Sequence, residues 1–297
     1  MARPNFAHGY NWWTTEEITA LARLYPSAPK EVVQTTIKRS WQAMSDAAKK
    51  RGIRRIVRAQ RIETPINHDF FKTWTSDMAY VLGFWFADGY ITRGDRCLYS
   101  IGFRSKDHEH LISIRAVLQS RHRIYDKHDG SYELVISSKT LWEDIKLLGG
   151  MPAKSLTTTF PSLPEGFLVD FLRGYCDGDG SVTWDKQPSG AQPCIYLVGT
   201  HAFLSAATMA ISNVTGLPIR RVHQSKTKVP WIRWTGLNAK LLASWLYSDG
   251  CLALERKRIM AELFQHWHPR QYKRSFVTKK MQEVFNGILP QSGRAQR

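Results

Sequence analysis

Apolar positions along the first fifty residues recur at helical spacing in three short runs. Thr14-Thr-Glu-Glu17 predicts a capping box opening a helix with Ile18, Leu21, Ala22 and Leu24 on its apolar side. Pro26 and Pro29 end it and open a second helix over 30–36. A third, over 40–50, turns Trp41, Met44 and Ala48 inward and stops at Gly52. Further along, 80–87 and 171–178 read as apolar helices. The stretch 96–104 alternates as a strand, with Cys97, Tyr99, Ile101 and Phe103 toward a core and Arg96, Leu98, Ser100, Gly102 and Arg104 outward. A hairpin over 123–127 and 132–137 turns at Asp129-Gly130, and a matching one is expected over 219–225 and 229–235. There Trp231 and Trp234 fit core packing better than base stacking. Helices over 138–148, 237–247 and 254–266 close the two halves.

The two apolar helices are one pattern written twice. Tyr80-Val-Leu-Gly-Phe-Trp-Phe-Ala-Asp-Gly-Tyr90 and Phe171-Leu-Arg-Gly-Tyr-Cys-Asp-Gly-Asp-Gly-Ser181 each carry small residues four apart, Gly83 and Ala87 in the first, Gly174 and Gly178 in the second. That spacing puts them on one helical face, where two backbones can approach closely. Each helix then ends on Asp-Gly, so Asp88 and Asp179 sit where the macrodipole disfavours negative charge. A single Asp-Gly is an ordinary turn dipeptide, as at Asp249-Gly250. Two brought side by side by helix packing repel unless a cation lies between them, which predicts a divalent-metal site.

The repeat continues downstream. Cys97-Leu-Tyr-Ser-Ile-Gly102 and Cys194-Ile-Tyr-Leu-Val-Gly199 share the pattern Cys-aliphatic-Tyr-x-aliphatic-Gly, which predicts strands in register, with the extra residues of the second copy in the loop 186–193.

On these residues the chain resembles the two-motif, single-chain LAGLIDADG homing endonucleases over about 77–266, with the nine-residue motif at Val81 to Gly89 and Leu172 to Gly180. The resemblance implies an α+β fold: a pseudo-twofold pair of αββαββα repeats forming a saddle over the DNA major groove. It implies that Asp88 and Asp179 are the catalytic, metal-binding acids, with Ala87 and Gly178 beside them at the metal, and that Mg²⁺ (or Mn²⁺) is the cofactor. The motif's sixth position is Phe86 in one copy and Asp177 in the other, so catalysis is not carried onto Asp177. The family's assisting basic residues fall on Lys154, in Gly149-Gly-Met-Pro-Ala-Lys-Ser155, and on Lys257, in Leu254-Glu-Arg-Lys257. Site-specific, metal-dependent double-strand cleavage of a long asymmetric DNA by a monomer is the implied function. An intron RNA maturase or a non-cleaving DNA-binding regulator on the same scaffold are the alternatives, and RNA is the partner in the former. Retention of both acids favours the nuclease. Met1 and the lack of a splicing nucleophile read as free-standing rather than intein-embedded.

Charge agrees with a nucleic-acid partner: 42 Lys and Arg against 25 Asp and Glu give +17. Residues 1–66 hold twelve basic and five acidic side chains, and 255–297 hold ten and three. The N-terminal helices resemble a Myb-like or helix-turn-helix DNA-binding module, followed by a basic run of Lys49, Lys50, Arg51, Arg54, Arg55, Arg58 and Arg61 suited to phosphate. Elsewhere Arg93, Arg96, Arg104, Lys186, Arg220, Arg221, Lys226, Lys228 and Arg233 are candidate DNA contacts. The expected domains are 1–66, 67–162, 163–268 and a basic tail, 269–297. No run of 18 apolar residues exists to cross a membrane and no signal-peptide core opens the chain. Four cysteines without C-x-x-C spacing read as reduced thiols. The expected location is intracellular and soluble: cytoplasm, nucleoid or organelle matrix. His108-Glu-His110 and His266-Trp-His268 lack partners at zinc spacing.

Overall fold

The computed structural model describes residues 12–55, 64–94, 98–152, 157–188, 190–224, 229–248 and 250–268. The chain divides into two compact units, 1–63 and 64–297.

In the first unit, α1 (Thr15–Leu24) opens on the expected capping box: the Thr14 side chain accepts from Glu17 N–H at 3.2 Å, and Glu17 accepts from Thr14 N–H at 2.9 Å. Helices α2 (Lys30–Ile37) and α3 (Trp41–Lys50) are joined by a short turn in which Lys38 adopts φ 55°. The Arg39 guanidinium grips both carboxylate oxygens of Glu17, at 3.0 and 2.8 Å, tying that turn to α1. Leu21, Val33, Ile37, Met44, Ala47 and Ala48 form the core of the unit. Ala22 is exposed, against the periodicity reading, because the buried face of α1 runs through Leu21 to Tyr25.

The second unit contains the repeat. Its first copy runs α4 (Ser76–Asp88), β1 (Gly89–Gly94), β2 (Leu98–Ser105), α5 (His108–Val117), β3 (Ile124–Asp126), β4 (Tyr132–Ser137) and α6 (Lys139–Leu147). These strands make an antiparallel sheet of order β1-β2-β4-β3. The second copy runs α7 (Leu168–Asp179), β5 (Gly180–Gln187), β6 (Gly190–Val198), α8 (His201–Thr215), β7 (Trp231–Thr235), α9 (Leu237–Leu246) and α10 (Glu255–Gln265), with a sheet of order β5-β6-β7. One core spans both copies, with Ile101, Phe103, Leu134 and Ile136 from one sheet and Ile195, Leu197, Ile232 and Trp234 from the other. The α+β class and the helix-strand-strand order of the repeat are therefore as expected.

Three expectations for this unit fail. Trp231, expected in the core with Trp234, stands on the opposite face of β7, against Tyr196, His223 and Arg233. Among the described residues the second hairpin keeps only β7, and those before it contribute a lone bridge, His223 to Trp231. Arg220 N–H is diverted to the Thr208 side chain of α8 at 2.7 Å, and Pro218 and Pro230 have no N–H to give a ladder. The cysteine-tyrosine match is also out of register. Pairing sets Phe103 opposite Gly89 but Leu197 opposite Gly180, an offset of three residues from the sequence match. An odd offset exchanges faces: Tyr99 packs edge-on against Trp142 of α6, whereas Tyr196 stands beside Arg233 on the face away from the core.

Candidate active site

The site is built by the crossing of α4 and α7. A Cβ on Gly83 would overlap the Phe171 carbonyl oxygen, and one on Gly174 would overlap that of Tyr80, so only glycine permits this approach. One turn on, a Cβ on Gly178 would overlap Ala87 and lie 3.3 Å from a carboxylate oxygen of Asp88. Asp88 and Asp179 are the last residues of their helices, both half-buried, and both push the phenol of the intervening Tyr175 upward, an effect second to its burial. Gly83, Gly174, Gly178 and Ala87 thus lie where α4 and α7 approach most closely, which sets Gly178 beside the Asp88 carboxylate.

An open cleft of about 520 Å³ lies on the Asp88 side, bounded by Ala87, Asp88, Gly89, Tyr90, Asp177 and Gly178, and by Arg104, Lys106, Asp107, Ser131 and Arg256. Arg256 Nε bridges both carboxylate oxygens of Asp107 at 3.2 Å, linking α10 of one half to the start of α5 in the other. Sequence spacing singles out neither Lys106 nor Arg256. The alternation of β2 ends at Ser105 and so says nothing of Lys106, and Arg256 reaches the cleft only through the placement of α10.

Beneath the acids is a buried polar cluster. The Asp177 carboxylate accepts from Tyr80 O–H at 2.6 Å, from Tyr247 O–H at 2.7 Å and from Leu254 N–H at 2.7 Å. Burial pushes this carboxyl up, opposed by the Tyr80 hydrogen bond and the Lys257 charge. Tyr80 has one proton and gives it to Asp177, so at the 3.1 Å contact His110 Nε2–H is the donor to its oxygen. Burial brings the His110 imidazole down to about 4. Lys257 belongs to this cluster and not to the cleft wall. Its Nζ donates to the carbonyls of Cys176, Asp177 and Gly180 at 2.7, 2.7 and 2.8 Å, using all three protons. Burial lowers this ammonium, with Cys176 and Asp177 opposing. Lys154 lies outside the described residues.

The candidate DNA contacts separate by face. Arg104 and Arg233 stand on the sheet faces away from the core. Arg104 is ion-paired with Asp129 and donates to Ser131 at 2.9 Å; Arg233 donates to Tyr196 at 3.3 Å and lies 5.8 Å from the Trp231 ring. Arg93 shares its strand face with Ile91 and covers Tyr99, and Lys186 follows Val182 and Trp184, so both lie on the core side at strand ends. Arg220 is half-buried, and burial lowers its guanidinium; Arg221 is exposed. In the first unit Lys49, Lys50, Arg51 and Arg54 are exposed. Arg55 is not a surface cation: it donates to the Tyr25 and Ala28 carbonyls at 2.7 Å each and stacks 4.9 Å from Trp41. Arg58, Arg61, Arg96, Lys226 and Lys228 lie outside the described residues.

Among the described residues no three His, Cys, Asp or Glu side chains gather as a metal cluster, and no helix is long and apolar enough to cross a membrane. The donors at the crossing are two carboxylates and the carbonyls of two helix ends. An all-oxygen set with two acids fits a hard divalent cation that completes its shell with water and phosphate.

No protein-family model and no curated protein matches the sequence. Among solved structures the chain is similar to the homing endonuclease I-WcaI bound to its DNA recognition sequence, at 15% identity and TM-score 0.44, over 65% of this chain and 90% of that one. It is also similar to the I-LtrWI LAGLIDADG homing endonuclease bound to target DNA, at 12% identity and TM-score 0.45, over 75% and 96%. The LAGLIDADG meganuclease I-AabMI bound to uncleaved DNA matches at 13% identity and TM-score 0.44, over 63% and 90%.

Proposed function

We propose that this chain is a site-specific DNA endonuclease that uses a divalent cation, Mg²⁺ or Mn²⁺, to break both strands of a long asymmetric duplex as a monomer. The observation that carries the reading is the crossing of α4 and α7, which brings two Asp-Gly helix ends from one chain to a single place. Asp88 and Asp179, with the carbonyls of Ala87 and Gly178, are the groups that hold the cation. When bound, it supplies Lewis acidity toward a phosphodiester and a nucleophile at neutral pH. Lys106 and Arg256, in the cleft wall beside Asp88, neutralise the phosphate. Arg104 and Arg233 contact the duplex from the two open sheet faces, and the four- and three-stranded sheets suit unlike half-sites. The N-terminal helices, through the exposed Lys49, Lys50, Arg51 and Arg54, add phosphate contacts. A cleavage selection from a randomised duplex library with Mg²⁺ tests the reading. It is expected to return one long non-palindromic site; no enrichment, or a palindrome, would count against it.

A further inference from the structure

We propose that the two open sheet faces read DNA with their charged and apolar rows exchanged. In one half Arg104 takes a guanine level with Asp88; in the other Val198 and Trp231 take a thymine methyl level with Asp179, and Arg233 takes a guanine about two base pairs further out. The inference rests on the part of the endonuclease reading that lays the duplex along both faces. Strand register defines the matching rows. Gly89 pairs with Phe103 and Gly180 with Leu197, and both partners point into the core. The next residue along, Arg104 in one half and Val198 in the other, therefore points outward, level with the acid that precedes each glycine. Arg104 borders the cleft beside Asp88 accordingly. Across the ladder Arg104 faces Glu133, and Val198 faces Trp231. One row further from the acids the order reverses: Gly102 faces Val135, and Tyr196 faces Arg233.

Each row suits a different base edge. Arg104 Nε donates to Ser131 at 2.9 Å and a terminal nitrogen is ion-paired with Asp129, which holds the guanidinium in place. These bonds use two of its five N–H groups, and a bidentate contact to guanine O6 and N7 takes two more. In the next row of this half the Tyr90 ring fills the space over Gly102 where a Cβ would stand, beside Val135. In the other half Trp231 stacks on His223, with centroids 4.4 Å and planes 15° apart, and the Tyr196 ring meets it edge-on at 5.9 Å. The indole so held presents carbon beside Val198, a surface that fits the C5-methyl of thymine. Arg233, one row out, donates to the Tyr196 hydroxyl at 3.3 Å. Neighbouring rows on one face are separated by about 6.7 Å of strand, the rise of about two base pairs.

The test is a binding selection of the full chain on a randomised duplex library, which needs no cutting, repeated with Arg104→Ala and Arg233→Ala. Both side chains are exposed, so neither change disturbs the core. Arg104→Ala is expected to relax a guanine preference near the centre of the site, by about fivefold or more. Arg233→Ala is expected to relax one in the other half, about two base pairs further from the centre. At the position in that half which matches the Arg104 guanine, the parent is expected to select thymine. Uracil there removes only the methyl and is expected to weaken binding about fourfold in the parent and not in Trp231→Ala. The parent comparison needs no variant to fold. Relaxation at equal distances from the centre, indifference of the parent to uracil, or a uracil effect that persists in folded Trp231→Ala would overturn the proposal, as would a selection that enriches no sequence. A duplex bound with this pattern but left uncut in Mg²⁺ and Mn²⁺ would instead strike the endonuclease reading and leave the exchanged rows standing.

Discussion

The Tyr80 hydroxyl of α4 donates to the Asp177 carboxylate of α7 at 2.6 Å, joining the two motif helices by a charge-assisted bond inside their apolar interface. Tyr80→Phe leaves the ring packing intact and takes away one of three donors to a buried acid. It is expected to lower unfolding stability by about 1.5–3 kcal/mol, read by urea denaturation. A change under about 0.5 kcal/mol would mean the bond contributes little.

The same interface depends on missing side chains. Gly174→Ala places a methyl against the Tyr80 carbonyl oxygen and 2.8 Å from Phe84 N, backbone atoms that cannot swing away. The helices must separate, and a cost of about 3 kcal/mol or more is expected. Gly166→Ala is the comparison: its Cβ meets open space, and only its φ of 92° is strained, so about 1 kcal/mol is expected.

His110 makes stability pH-dependent. Buried and held down to about 4, it stays neutral in the folded chain where the unfolded chain, titrating near 6.5, already binds a proton. Stability is therefore fully present above about pH 6.5 and is lost as pH falls toward 4, by on the order of 3 kcal/mol for this group. Asp177, pushed the other way, titrates in the same cluster. The measurement is thus the difference between the parent and His110→Gln, which keeps a donor for Tyr80: the variant is expected to lose the His110 contribution to the slope over this window.

The first unit has its own core, and the second begins at residue 64: the Pro65 carbonyl accepts from Arg121 N–H and Asn67 N–H donates to Leu118. Removing 1–63 is expected to weaken duplex binding and flatten the slope of log K against log salt by roughly 0.9 for each phosphate the shortened chain no longer neutralises, with cutting retained at higher protein concentration. Within the unit, Lys50→Ala and Arg54→Ala are expected to reduce that slope without a stability cost. Arg55→Ala is expected to destabilise the unit, since its guanidinium occupies two carbonyls and stacks on Trp41.

Much of the crossing was legible because its causes are local. Glycine or alanine four apart marks a close helix face, and Asp-Gly marks where each helix stops. The capping box at Thr14 and the turn at Asp129-Gly130 are equally local. Register was less legible: a shared run of letters around Tyr99 and Tyr196 suggested equivalence, but pairing follows core faces and hairpin length, which shift by three residues. Least legible were uses set by distant chain. Lys257 reads as a basic residue assisting at the acids until α10 docks its first turn under α7 and its ammonium is taken up by three carbonyls, and Arg55 reads as one of a phosphate-binding run until Tyr25, Ala28 and Trp41 fold around it.

The central claim, that Asp88 and Asp179 form one metal-dependent centre, is tested most directly by supercoiled-plasmid cleavage with Asp88→Asn and Asp179→Asn on a selected target, with duplex affinity measured in parallel. Each substitution removes one carboxylate charge and leaves the open sheet faces and the first unit untouched. The account predicts that each abolishes linearisation in Mg²⁺ and Mn²⁺ while the affinity for the duplex stays within about tenfold of the parent, since phosphate and base contacts lie elsewhere. Full linearisation by either variant would contradict it.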